Sequence, residues 1–359
     1  MSRISLSKKP EPSADNDGGR LPFAGFAEQL VAPVRLALLE LAIDLELPDI
    51  IARTNDLPGI AAELGTTRLD KLAYILDALA ATGLLRKENG AYHNSVLAED
   101  YLRKGKPAYL GELVIALKTM QHRNLHRLKD FLFSESIPVP AGDALHDEEH
   151  WRRSARGLAA YQKAGVAGNM ARIAASLPGA EELRTMLDLG CGPGVTALRI
   201  LQRLPRLRLV LCDFPHVLQL AEQETDAAGM NGRVSFLPGD YNRLDWGREY
   251  DLIWACQSLY YASDLRAFLK RIAAALNPGG FFVSIHEGIR NEGTEPAMLV
   301  LSRLSLALEG QDVSFVKGRI AEAAAEAGLI RIRAASLPML FDDADLEVFQ
   351  KPLSAEETP

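Results

Sequence analysis

Met186-Leu-Asp-Leu-Gly-Cys-Gly-Pro-Gly-Val-Thr196 places an apolar run, a carboxylate and three closely spaced glycines in one order. The run over 185–189 stops at Gly190, as a buried parallel strand does before a strand-to-helix turn. Gly190, Gly192 and Gly194 let the backbone turn sharply and let a ligand approach where a Cβ would collide. Over 195–203 the apolar positions Val195, Leu198, Ile200 and Leu201 recur at helical spacing. The glycines therefore sit between the carboxyl end of a strand and the amino end of a helix, where open α/β sheets bind nucleotide-like ligands.

The following strand narrows the ligand. Residues 207–211 form a second apolar run ending in Cys212-Asp213, and Asp213 lies 25 residues beyond Asp188, near the spacing at which an acidic side chain meets ribose hydroxyls. In a dinucleotide fold the turn reads G-x-G-x-x-G and seats a pyrophosphate on the helix N-terminus. Here it reads G-x-G-x-G, with Asp188 two positions ahead of the first glycine. A carboxylate there repels a phosphate and suits a cationic amino-acid group.

This pattern resembles class I S-adenosylmethionine (SAM)-dependent methyltransferases, and the match runs on through the C-terminal half. Val234-Ser-Phe-Leu-Pro-Gly-Asp240 is similar to the family's third-strand segment, whose acidic residue meets the adenine amino group. Tyr250-Asp-Leu-Ile-Trp-Ala255 resembles its fourth strand, and Leu276-Asn-Pro-Gly-Gly-Phe-Phe-Val-Ser-Ile285 its turn into a fifth. The resemblance implies an α/β, Rossmann-like SAM-binding domain over 178–353 with a mainly parallel sheet. It also implies SAM as cofactor, held by Asp188, Gly190, Gly192, Gly194, Asp213, Phe214, Asp240, Tyr241 and Cys256. On the residues alone, Asp213 and Asp240 stay open to a plainer reading as caps of helices or turns.

A chain of 359 residues with 48% hydrophobic content is long enough for two domains with real cores. Its net charge of −7 argues against a nucleic-acid binder. Cys191, Cys212 and Cys256 stand at no metal-ligand spacing, so neither a disulfide framework nor a zinc site is expected and a reducing, cytoplasmic setting follows. No run reaches the length of a membrane span. Residues 1–20, without the apolar core of a signal peptide, and 354–359 read as disordered tails.

Residues 21–107 read as a mostly helical domain. The segment 30–45 is apolar and alanine-rich, and 57–64 and 69–85 carry apolar residues at helical spacing, separated by Gly65-Thr-Thr67 with a threonine as the expected N-cap. Leu84-Leu-Arg-Lys-Glu-Asn-Gly-Ala-Tyr-His93 reads as two short strands around an Asn-Gly turn. Helix, turn, helix and ribbon make a winged-helix pattern. Its second helix offers only Arg68 and Lys71 as cations, beside Asp70, too little to neutralise phosphates. In the small-molecule O-methyltransferases of bacteria and plants, which the order of elements resembles across nearly the whole chain, a winged-helix domain at this position serves dimerisation. The resemblance therefore implies a homodimer acting on a small-molecule acceptor, and the apolar segment 30–45 suits its interface. Residues 108–177 are expected to be the helical connection that in the family covers the substrate pocket. Helical patterns lie over 111–133, 151–161 and 164–177, with a loop at 134–142; later helices are expected over 297–308 and 318–328, and closing strands over 330–335 and 346–351.

Methyl transfer to oxygen is an in-line displacement on a sulfonium carbon, so an enzyme chiefly aligns the acceptor and removes its proton. The family uses a histidine after the fourth strand, in a motif near Leu-His-Asp-Trp-Ser-Asp. The segment here is Leu259-Tyr-Tyr-Ala-Ser-Asp264, with Tyr260 in the histidine's place. A phenol of pKa about 10 is a poor base at neutral pH. Three explanations stay open: the acceptor is already nucleophilic and Tyr260 orients it, another residue is the base, or SAM is used without methylation. Oxygen is the acceptor atom the resemblance implies, and the missing histidine raises carbon and sulfur.

His286, ending the fifth strand, is the first candidate for a replacement base, and Glu287 matches the acid that orients the family's histidine. Alternation of strand side chains opposes both of them facing the substrate. Gln257 and Asp312 are candidate substrate contacts. His122 and His126, four apart among Lys118, Arg123, Arg127 and Lys129, are expected on one helical face. That pair is open between a substrate-binding lid, a solvated basic face and a metal chelate lacking a third ligand, so no metal is assigned. Trp254 and Met170 stay open between wall of the SAM site and core packing.

Overall fold

The computed structural model describes residues 23–134, 148–311 and 314–353. The expected tails, most of the loop at 134–142 and Asp312 lie outside the described residues. The chain divides into two compact units, one up to Glu99 and one from Asp100 onward.

The first unit contains α1 (Ala24–Asp44), α2 (Leu47–Arg53), α3 (Leu57–Leu64), α4 (Leu69–Ala81) and the hairpin of β1 (Leu85–Glu88) with β2 (Ala91–Asn94), after which α5 (Val96–Tyr101) begins. Asp56 starts α3 by accepting the Gly59 N–H at 2.8 Å, and left-handed Gly65 ends it. The expected threonine cap of α4 is corrected: its N-cap is Arg68, and Thr66 Oγ1 accepts from the Arg68 N–H at 3.2 Å. That helix also stops at Ala81 rather than running to 85, because Gly83 (φ 84) turns the chain and frees Leu85 for β1. Asn89 (φ 51) and Gly90 (φ 84) supply the doubly left-handed two-residue turn that matches strand twist. Arg68 and Lys71 both lie within 4 Å of Asp70, at 3.8 and 3.2 Å, which spends their charge locally. α1 leaves Phe26, Leu30 and Val34 exposed, four residues apart.

The second unit opens with α6 (Gly111–His122), α7 (Leu128–Phe133), α8 (Glu148–Tyr161) and α9 (Ala167–Ala175). The single helix expected over 111–133 is thus two, joined through a 3-10 turn at Leu125–Arg127. Buried Asn124 donates from Nδ2 to the Ser305 carbonyl (3.1 Å) and to Glu309 Oε1 (2.7 Å), and Arg123 pairs with the same Glu309. These contacts break the helix, so the shared helical face of His122 and His126 is corrected. Between α8 and α9 the chain takes one π-helical turn, Gln162–Val166, with Gly165 at φ 137.

The sheet-forming elements follow in alternation: β3 (Thr185–Leu189), α10 (Val195–Arg203), β4 (Arg208–Asp213), α11 (Pro215–Ala227), β5 (Val234–Pro238), β6 (Tyr250–Cys256), α12 (Leu265–Ala275) and β7 (Leu276–His286). After the short β8 (Gly288–Ile289), α13 (Ala297–Leu308), β9 (Phe315–Val316) and α14 (Arg319–Glu326), the hairpin of β10 (Ile330–Pro338) and β11 (Asp343–Gln350) closes the unit. The strands order as β10-β11-β7-β6-β3-β4-β5. The run from β5 to β7 is parallel, and the terminal hairpin adds two antiparallel strands. Met186, Leu252, Trp254, Val283 and Ile285 pack one face against α9 and α10; Leu187, Leu189, Ile253 and Phe282 pack the other against α12 and α14. Strand order reverses at β3, whose neighbours are β4 and β6, and that reversal opens a crevice at the strand ends. Among the described residues no helix is long and apolar enough to cross a membrane.

Candidate active site

The glycine turn after β3 is left-handed at Gly190 (φ 72), Gly192 (φ 56) and Gly194 (φ 72). It is pinned to β4: the N–H groups of Gly190 and Cys191 donate to the Cys212 carbonyl (2.9 and 3.2 Å), and that of Gly192 to Asp213 Oδ2 (2.8 Å). Asp188, Gly190, Gly192 and Asp213 line one cavity at the switch point, joined from neighbouring elements by Phe214, Asp240, Tyr241, Cys256 and Gln257. Gly194 instead caps α10, where a Cβ would lie 3.1 Å from Leu211 Cδ1.

Two carboxyl groups, buried Asp188 and half-buried Asp213, dominate the electrostatics. Burial, and then the neighbouring charge of Asp213, pushes the Asp188 carboxyl up to about 8. Burial pushes Asp213 up to about 6 against the opposing N–H groups of Gly192 and Phe214. Among the described lining residues there is no Lys, Arg or His. Such a cavity rejects a phosphate and fits a ligand with an ammonium at one end and a ribose diol at the other. Each Asp213 oxygen accepts one N–H, at 2.8 Å, and retains a lone pair for a hydroxyl. Asp240 Oδ1 accepts from Asn242 N and Nδ2, both at 2.9 Å, which fixes the turn after β5. SAM fits this donor and acceptor set, and when bound it supplies a sulfonium methyl group. Asp213→Ala would strand the Gly192 and Phe214 donors. It is expected to cost about 2 kcal/mol or more of stability in urea denaturation, and about 1–3 kcal/mol of SAM affinity by calorimetry.

Around Gln257 the sequence expectations divide. The Tyr260 hydroxyl accepts from the Glu287 N–H at 3.0 Å and lies 3.0 Å from both Gln257 Oε1 and Glu287 Oε2, one of which takes its proton. Burial, with the Glu287 charge second, pushes this phenol well above its ordinary value; burial likewise raises Glu287. Neither residue lines the cavity wall; Gln257, held by Tyr260 in a left-handed conformation (φ 56), does.

His286 as general base is corrected on geometry. Its Nε2 accepts from the N–H groups of Ser258 (3.1 Å) and Leu259 (3.0 Å), which places the proton on Nδ1, 2.9 Å from Ser284 Oγ. The ring is 2% exposed, is absent from the cavity wall, and is depressed by burial to about 3. It anchors the turn that carries Tyr260. Cys256 lines the cavity, its thiol raised first by burial. His122 and exposed His126 do not line it.

Several wall residues were not expected from sequence. Leu158, Tyr161 and Gln162 come from α8 and the π turn, and Met339 follows β10. Burial first pushes the Tyr161 phenol up to about 12. Gln162 Oε1 accepts from the Thr196 N–H at 3.2 Å, capping the first turn of α10 from another element. Gly165 inside a helical pattern was the one available signal.

Residues 186–280 match the family described as a methyltransferase domain, and residues 32–104 match the O-methyltransferase dimerisation domain. The 3-hydroxy-5-methyl-1-naphthoate 3-O-methyltransferase of Streptomyces sahachiroi is 28% identical over 247 residues, 67% of this chain and 70% of that protein. Among solved structures, an O-methyltransferase family protein from Burkholderia thailandensis superposes with a TM-score of 0.74 at 24% identity, covering 93% of this chain and 99% of the other. Human N-acetylserotonin methyltransferase in complex with SAM gives 0.74 at 19% identity, covering 94% and 99%. These two likenesses concern the fold, and the two domain matches carry the assignment. Residues 186–280 therefore form a methyltransferase domain and residues 32–104 an O-methyltransferase dimerisation domain, the arrangement of the SAM-dependent small-molecule O-methyltransferases to which this chain is similar.

Proposed function

We propose that this enzyme is a homodimeric O-methyltransferase of specialised metabolism whose acceptor is an acidic hydroxyl, a phenol or enol that ionises without help from an enzymic imidazole. The observation that carries this reading is the sealed state of both candidate bases: the Tyr260 hydroxyl is bonded within the Gln257–Glu287 cluster, and both His286 nitrogens are engaged. In this reading Asp188 holds the cofactor ammonium, Asp213 the ribose diol and Asp240 with Tyr241 the adenine end. Gly190 and Gly192 admit the cofactor, while Phe214 and Cys256 form its walls. Gln257 meets the acceptor, positioned by Tyr260 and Glu287. The exposed stripe Phe26, Leu30 and Val34 and the dimerisation-domain match support the homodimer.

The test uses methyl-labelled SAM with hydroxynaphthoates and nitro-substituted phenols of graded acidity. With SAM saturating at every pH, a rising limb of kcat/KM for the acceptor that moves with acceptor acidity supports self-ionisation, and a limb fixed at one pH across the series refutes it. Label on a ring carbon would move the reaction to carbon. Tyr260→Phe is expected to lower kcat/KM by about tenfold or more while leaving the affinity for S-adenosylhomocysteine (SAH) unchanged.

A further inference from the structure

We infer that the indole N–H of Trp254 is the donor that holds the carboxylate of the cofactor's methionyl group; the inference rests on the SAM site described above. Trp254 is 1% exposed, and its Nε1 lies buried without a hydrogen-bond partner. Buried indole donors ordinarily find one, as Trp246 does with the Tyr241 carbonyl at 3.0 Å. Trp254 also lines the cofactor cavity, so its missing acceptor is one that a ligand supplies.

Register identifies which part of the ligand. The β3–β6 ladder pairs Asp188 directly with Trp254, and Asp188 lines the same cavity. In an α-amino acid the ammonium and the carboxylate share one carbon, so a ligand whose ammonium meets Asp188 brings its carboxylate within a side chain's reach of that rung. The described wall offers this carboxylate no cation, and two acids, buried Asp188 and half-buried Asp213, line the same cavity. A neutral donor suits this position, because a lysine or arginine beside Asp188 would pair with it and compete with the cofactor's ammonium. Ser258 Oγ, also buried without a partner and on the same wall, is placed to share the load.

Trp254→Phe keeps an aromatic side chain, though a smaller one, and removes the N–H. Calorimetry on the full chain is expected to show SAH bound about tenfold more weakly, with 5′-methylthioadenosine, which lacks the amino-acid portion, bound as by the wild type. Unchanged SAH affinity overturns the inference, as does an equal loss for both ligands. In the wild type, the Trp254 indole 15N–H resonance should move downfield with SAH and stay in place with 5′-methylthioadenosine. This readout needs no folded Trp254→Phe, since Trp246→Phe and Trp151→Phe assign the remaining indole. An indole signal indifferent to SAH that is nevertheless bound overturns the inference alone; a wild type that binds neither ligand removes the SAM site with it.

Discussion

Gly190→Ala is expected to abolish measurable SAH binding and to lower stability by about 2–5 kcal/mol, the sum of left-handed backbone strain and overpacking. The residue sits at φ 72, and an added Cβ would stand 2.5 Å from Ser258 Cβ. Ser258 cannot yield cheaply, because its N–H is tied to His286 and its carbonyl accepts from the Tyr241 hydroxyl at 2.6 Å. The collision would push the turn into the cofactor's space. Gly192→Ala shares the strain at φ 56 but meets only Leu158 Cδ2 at 3.3 Å, the end of a side chain that can move. Gly65→Ala meets nothing within 4 Å and should show the backbone penalty alone, about 1–2 kcal/mol. Urea midpoints for the three variants, with SAH titrations, would check this order; a Gly190→Ala protein that binds SAH normally would contradict the close approach.

Asp188 should couple cofactor binding to pH. With its carboxyl raised to about 8 in the free protein, it is mostly protonated at pH 7, whereas pairing with an ammonium requires the carboxylate. Binding therefore releases a proton. SAH affinity should rise by up to about tenfold per pH unit below pH 8 and level off above it. The sign for stability is opposite: a folded-state value above the unfolded one, about 3.9, means the free fold binds more protons, so its stability falls as pH rises from about 4 through 8. Calorimetry in buffers of different ionisation enthalpy reads the proton directly. Asp188→Asn should bind SAH more weakly by about 2–3 kcal/mol at pH 8 and lose the pH slope; an affinity flat with pH in the wild type would rule out the coupling.

What was legible in the sequence was local. The strand Thr185–Leu189, the three glycines and the helix Val195–Arg203 follow from alternating patterns within about 20 residues, and Asp213 and Asp240 follow from their places at strand ends. The winged-helix hairpin was equally local, fixed by Asn89-Gly90. What escaped the sequence depends on contacts made far along the chain. The break at Arg123-Asn124 is set by Ser305 and Glu309, more than 180 residues away. His286 sits where an acid–base catalyst was expected, yet the backbone of 258–259 turns to meet it and takes up its lone pair. Strand alternation opposed His286 and Glu287 both facing the substrate; neither lines the cavity, and both contact Tyr260, His286 through its ring and Glu287 through hydrogen bonds.

The turn at Gln162–Val166 joins α8 to α9 through Gly165, whose backbone (φ 137, ψ −23) is not helical, so the two helices meet at a kink and do not share one winding. Gly165→Ala would strain that backbone and re-aim α8 relative to α9, displacing Leu158 and Tyr161 on the cavity wall. The shape of the cavity thus depends in part on one glycine that does not itself line it.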